Sequence, residues 1–214
     1  MSAIVRKGAD ALDALRREVA LGVSDYQEAL VLTLDISYSM ASLESSRTMT
    51  RLEAARQASR QLLRSCTSAT HAALVSFSTE ERVVCPMTAN LTAVALSLGS
   101  LHAYASTRLA PALKRGLAIV LAEAPQTLRR LIVLSDGLAH DSEDCLTAAD
   151  LLHEACVVVD TIWFGEESKD ADLLRQISAK TGGTFCSATS AADLVQRFAQ
   201  LEGHVRGLLT SGQP

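Results

Sequence analysis

The chain has 214 residues, 48% apolar, 21% charged and 4% aromatic, with 20 basic and 24 acidic side chains and a formal charge of −4. That balance is globular, long enough for one domain with extensions, and it excludes disordered and fibre-like classes. The interspersed charges lack the basic excess of a general nucleic-acid binder. No apolar run reaches the roughly 20 residues that cross a bilayer, because Asp35 interrupts the run at 29–37 and Asp160 the run at 156–165.

Residues 3–20 place Ile4, Val5, Ala9, Leu12, Leu15 and Val19 near helical spacing, opposite Arg16, Arg17 and Glu18. This predicts an amphipathic helix that packs on its own domain or docks to another chain, followed by a short connection, so that 1–27 precede the main domain. The stretch has no apolar core of signal-peptide type, and the expected location is cytoplasmic, with no membrane or nucleic-acid partner. Residues 29–35 are mostly apolar without alternation, as in a central strand covered on both faces. Thr50 and Glu53 have capping-box spacing and open a helix to about 66. Its arginines, with Arg47 just before it, recur every four or five residues and read as a solvated face.

Strands follow at 71–78 and 82–87, the second closed by Pro86, which suits a sheet edge. A helix at 90–101, a polar stretch and a helix at 109–123 lead to a strand at 129–137. A helix at 145–155, a strand at 156–165, a helix at 170–183 closed by Gly182 and Gly183, a strand at 184–188 and a helix at 191–203 complete the order. The domain spans 28–205, with a frayed tail at 206–214. Strands alternating with helices predict an α/β, doubly wound, mostly parallel sheet with helices on both faces. The five cysteines, Cys66, Cys85, Cys145, Cys156 and Cys186, lack metal-ligand spacing and read as small core residues.

In such sheets ligands sit beyond the C-terminal ends of the strands. There the first strand ends in Asp35-Ile36-Ser37-Tyr38-Ser39, a loop supplies Thr107, and the fourth strand ends in Asp136-Gly137. Two carboxylates and three hydroxyls, with no histidine or thiol, form a donor set for a hard divalent cation. Mg²⁺ fits best, with Mn²⁺ or Ca²⁺ as alternatives. A cation held mainly by neutral oxygens stays short of negative charge, so a partner's Asp or Glu carboxylate would complete it. Around the site, Tyr38, Met40, Tyr104, Ser106, Arg108, His140 and Asp141 form a candidate rim that chooses the partner, while Ser142 reads as the cap of the next helix. No P-loop, glycine-rich dinucleotide turn or G-x-S-x-G elbow appears. A phosphotransferase reading would want a second Asp where Ser37 stands. A scaffold working through its helices, with only a structural metal, is the other alternative.

At Asp35-x-Ser37-x-Ser39, Thr107 and Asp136-Gly137 the sequence resembles the von Willebrand factor type A domain family, over residues 28 to 202. The resemblance implies a three-layer, Rossmann-like fold with a six-stranded, mostly parallel sheet and one antiparallel edge strand. It implies a metal-ion-dependent adhesion site in which Ser37 and Ser39 ligate the cation directly, Thr107 does so when ligand is engaged, and Asp35 and Asp136 act partly through water. It further implies a non-enzymatic, intracellular adaptor that works beside a separate protein, often an AAA+ ATPase, kinase or phosphatase. One departure is visible: family members often carry a glycine pair before the Thr, and here Ala105 and Ser106 stand there. Side chains at those positions predict a loop stiffer than glycine would allow.

Overall fold

The protein is described by a computed structural model covering residues 28–123, 127–137, 139–166 and 168–210, the last nine by backbone alone. The helix expected at 3–20 lies outside them. Six strands form one sheet: β1 (Glu28–Asp35), β2 (Thr70–Phe77), β3 (Glu81–Thr88), β4 (Leu128–Ser135), β5 (Val158–Phe164) and β6 (Phe185–Ala188). Their order is β3-β2-β1-β4-β5-β6, all parallel except β3, which runs antiparallel to β2. The chain winds outward from β1 in one direction and from β4 in the other, so the crevice between these two neighbours is the switch point where loops diverge. The expected α/β fold, with its single antiparallel edge strand, is the one observed.

The helices are α1 (Arg51–Ser65), α2 (Leu91–Ser97), α3 (Ala110–Leu121), α4 (Ser142–Glu154), α5 (Asp172–Thr181) and α6 (Ala191–Thr210). β1 is buried at every residue because helices cover both of its faces. Leu30, Leu32 and Leu34 join Leu52 and Leu62 of α1 and Phe198 of α6 in one core. Ala29 and Val31 join Leu113 of α3, Leu152 of α4 and Ile177 of α5 in the other. Each fully buried leucine contributes about 1.5–3 kcal/mol relative to exposure, so two apolar layers pin β1 and the turn that follows it. At the edge, β3 is half-exposed, and its register against β2 shifts between Ala72 and Val75, where Pro86 has no ladder partner.

Local signals explain most boundaries. Thr50 accepts the Glu53 amide at 3.2 Å and starts α1. Gly182 closes α5 at φ 75°, and Gly183 packs so tightly that an added Cβ would lie 2.1 Å from the Val159 carbonyl oxygen. Several expectations are corrected. The last helix continues to Thr210, through part of the stretch read as a tail. All five cysteines are free; Cys85 and Cys145 are core residues, and Cys66 and Cys186 pack partly buried against the core. Cys156 is exposed at φ 56° in the turn before β5 rather than inside the strand. The arginines are a solvated face only in part: Arg47 and Arg64 are exposed, but Arg56 pairs with Glu53 at 2.7 Å and donates to the Leu101 carbonyl, and Arg51 turns toward Asp136.

Away from the C-terminal strand ends, the sheet holds a buried ion cluster that apolar patterning does not suggest. Arg130 of β4, fully buried, donates to Asp160 at 2.7 Å and meets Glu28 at 3.4 Å. The carboxylates are satisfied in turn: Glu28 accepts the Thr70 hydroxyl at 3.0 Å and Asp160 the Thr184 amide at 2.8 Å. The cluster ties β1, β2, β4 and β5 together at the opposite end of the sheet from the hydroxyl-rich turn.

Candidate metal-ion site

Asp35 is the last residue of β1 and has no exposed surface. One of its oxygens accepts the Ser37 amide at 2.7 Å, which bends the chain into a tight Asx-type turn and leads into a 3₁₀ turn at Tyr38–Ala41. Its other oxygen accepts the hydroxyl of Ser135, the last residue of β4. Burial pushes the Asp35 carboxyl up to about 6, against the lowering pull of the Ser135 and Ser37 hydrogen bonds.

The Ser37 and Ser39 hydroxyls lie 3.0 Å apart, and Ser39 donates to Asp136 at 2.6 Å. Gly137 follows on the neighbouring strand end. A Cβ there would stand 3.0 Å from the Thr107 hydroxyl and 3.5 Å from that of Ser39, so the missing side chain leaves room for the two hydroxyls to approach. Asp35, Ser37, Ser39, Thr107 and Asp136, 101 positions apart at their extremes, thus lie around one turn at the β1/β4 switch point. Two residues that sequence reasoning passed over join them. Ser135 anchors Asp35, and its place beside Asp136 in a strand-end hydroxyl-carboxylate pair was the available signal. Arg51, the first residue of α1, donates to the other oxygen of Asp136 at 2.7 Å.

The loop from Ser42 to Thr50 holds Arg51 in place. The Arg51 amide donates to the Ser42 carbonyl at 2.8 Å, and Leu43 bridges to Thr50. Inside this loop Glu44 accepts the Ser46 hydroxyl and amide and the Thr48 amide and hydroxyl, the amides at 3.2 and 3.0 Å. These donors, the Ser46 hydroxyl foremost, hold the Glu44 carboxyl well below the usual range.

Of the rim residues expected, Tyr38, Tyr104, Ser106, Arg108 and His140 are exposed. Met40 and Asp141 are not. Met40 is a core residue packed with Leu34 and Leu52, turned inward by the 3₁₀ turn. Asp141 caps a neighbouring helix: its two oxygens accept the Leu109 and Ala110 amides, each at 3.0 Å, at the start of α3. It is also the residue before α4, so Ser142 is the first residue of that helix and not its cap. The loop leading to Thr107 is tied on both sides, by Tyr104 N–H to Ile36 at 2.7 Å and Arg108 N–H to Ser78 at 2.8 Å. Within it Ala105 adopts φ 64°, a glycine-favouring conformation.

A family model for the von Willebrand factor type A domain matches residues 30–138. The chain belongs to that family, whose domains serve as protein–protein interaction modules. Solved structures with the same fold include a von Willebrand factor type A protein from Catenulispora acidiphila, 21% identical with a TM-score of 0.72 over 86% of this chain and 43% of that one. An aerotolerance-related membrane protein from Bacteroides fragilis is 16% identical, with a TM-score of 0.70 over 84% of this chain and 98% of that one. The von Willebrand domain of a type V pilus tip protein from Porphyromonas gingivalis is 13% identical, with a TM-score of 0.72 over 85% and 95%. No curated protein matches the chain.

Proposed function

We propose that this domain is a cation-dependent protein-binding module, in which Ser37, Ser39, Thr107, Asp35 and Asp136 hold Mg²⁺ and a partner protein supplies an Asp or Glu carboxylate to it. The observation that carries the reading is the 3.0 Å spacing of the Ser37 and Ser39 hydroxyls. The two hydroxyls are hydrogen-bonded at that distance, and adjacent ligands of an octahedral ion at about 2.1 Å also stand about 3.0 Å apart. The donor chemistry agrees, being all oxygen. Ser39 donates its proton to Asp136 and accepts that of Ser37, which leaves one of its lone pairs available for a cation.

Bound there, the ion supplies an electrophilic point that a carboxylate recognises. The protein's own part is to orient the hydroxyls and the Asp35 carboxyl and to present an aromatic and cationic rim. Tyr38 is 71% exposed and Tyr104 46%, and Arg108, also exposed and next to Thr107 in sequence, is a donor for the same incoming group. The partner in this reading is a protein, with an ATPase, kinase or phosphatase as the class to test first, and the domain acts as an adaptor without chemistry of its own.

The test is thermal unfolding of the whole chain in EDTA and in 5 mM Mg²⁺ or Mn²⁺, with Asp35→Asn and Ser39→Ala beside wild type. A metal-dependent rise in Tm in wild type, lost in both variants, is the expected result. Equal curves in wild type would mean that the hydrogen bonds among these residues close the turn without a cation. Capture of a carboxylate-bearing partner in Mg²⁺ but not in EDTA completes the case.

A further inference from the structure

Arg51 is placed where helix physics does not want it. The N-terminal turn of a helix carries partial positive charge and favours acidic side chains, yet α1 opens on an arginine. The compensation is the 2.7 Å ion pair with Asp136, whose side chain is fully buried while that of Arg51 is 29% exposed. The pair spans 85 residues of sequence and is braced by the Arg51 amide to Ser42 and by the bridge from Leu43 to Thr50. The second cation near the turn, Arg108, faces the Asp141 carboxylate at 4.0 Å.

Resting on the reading above, we propose that Arg51 is a positioning residue that sets the net charge of the cation site through Asp136, so that the loaded site lacks one negative charge. Asp35 and Asp136 would neutralise a divalent cation between them. Arg51 cancels Asp136, and the loaded site is left with a single surplus positive charge, matched by one incoming carboxylate. Without Arg51 the loaded site is already neutral, and an incoming carboxylate would bring an excess of negative charge. Arg51 therefore weakens cation binding and strengthens carboxylate binding. Because the guanidinium is partly exposed, the effect is moderate and shrinks with salt.

The experiment measures Mn²⁺ affinity of the full chain by calorimetry at low and high salt. It then measures the affinity of the Mn²⁺-loaded protein for a short peptide with one internal Glu, against the same peptide carrying Gln. Arg51→Gln is expected to bind Mn²⁺ about three- to tenfold tighter and the Glu peptide several-fold weaker, while Arg51→Lys stays near wild type. Asp136→Asn, which leaves Arg51 unbalanced, is expected to bind Mn²⁺ more weakly, and adding Arg51→Gln to it restores affinity. The double variant keeps an uncharged hydrogen-bonding pair of similar shape if either single change fails to fold. Wild-type Mn²⁺ binding with no gain in Arg51→Gln overturns this inference alone, as does a double variant weaker than Asp136→Asn. Wild type with no Mn²⁺ binding at all overturns the proposed function and this inference with it.

Discussion

The carbonyl of Ala105, a residue held at φ 64°, accepts the amide of Tyr38 at 3.0 Å, so the loop before Thr107 is fastened to the turn after β1 by a residue in a glycine conformation. A non-glycine residue pays about 1–2 kcal/mol to stand in that region. The strain persists because hydrogen bonds from Tyr38, Tyr104 and Arg108 fix the loop on both sides, and strain of this kind collects at functional sites.

Replacing Ala105 with glycine removes that strain but adds freedom to the unfolded chain, which costs roughly 0.5–1 kcal/mol. The expected net effect of Ala105→Gly is stabilisation by about 0.5 kcal/mol in urea unfolding. Amide exchange at Tyr38 and Ser106 should become faster at the same time, because glycine admits other backbone angles. Slower exchange, or destabilisation beyond 1 kcal/mol, would contradict the strain assignment.

Asp141 caps α3 from another loop, and both of its oxygens are committed to that task at 3.0 Å. Asp141→Ala strands two amides at a helix start beside Thr107, and charge-assisted bonds of this kind are worth about 1.5–3 kcal/mol. The expected loss is about 2 kcal/mol in denaturant unfolding. The cation-dependent rise in Tm should also diminish, because His140 N–H, bonded to the Thr107 carbonyl at 3.2 Å, couples the two loops. An unchanged unfolding midpoint would show that solvent satisfies those amides.

The buried cluster at the other end of the sheet provides a contrast. Arg130→Met removes a fully buried guanidinium and leaves the Glu28 and Asp160 carboxylates without it. Breaking a buried ion pair from one side costs about 3–5 kcal/mol. Because the cluster is remote from Ser37 and Ser39, the variant should unfold at lower temperature yet show a metal-induced Tm shift like that of wild type. A lost metal response in a folded Arg130→Met would tie the cluster to the site.

What could be read in advance divides along physical lines. The unbroken apolar run of β1, the Thr50 and Glu53 cap and the glycine pair after α5 are local signals, and each produced the expected element. Asp35, Ser37 and Ser39 are legible because the turn holds them within five residues, and Thr107 and Asp136 because family resemblance names them. Arg51 and Asp141 were not legible in these roles. Their partners lie 85 and 32 residues away, so a sequence window sees only one arginine among several and an acidic loop. Met40 was misplaced for a related reason: nearness in sequence to the site does not say which way a side chain points, and the 3₁₀ turn after β1 rotates this one into the core.

Asp35 makes the site's response to pH opposite in sign to that of an ordinary paired carboxylate. Its folded pKa is raised by burial to about 6, above the ordinary value of 3.8. The protonated form is therefore favoured by folding. That contribution, up to about 3 kcal/mol, is fully present below pH 4 and is lost as pH rises through 6. Metal-free protein should thus lose stability between pH 4 and 6.5, in the window set by Asp35. A cation needs the ionised carboxylate, so its affinity should fall as pH drops below 6, by about tenfold per unit. The gap between Tm values with and without Mg²⁺ is then expected to widen from pH 5 through about 6 and level off toward 7, and Asp35→Asn should flatten both trends. A gap that is constant over that range would show that Asp35 is ionised throughout, with its hydrogen bonds from Ser37 and Ser135 outweighing the burial.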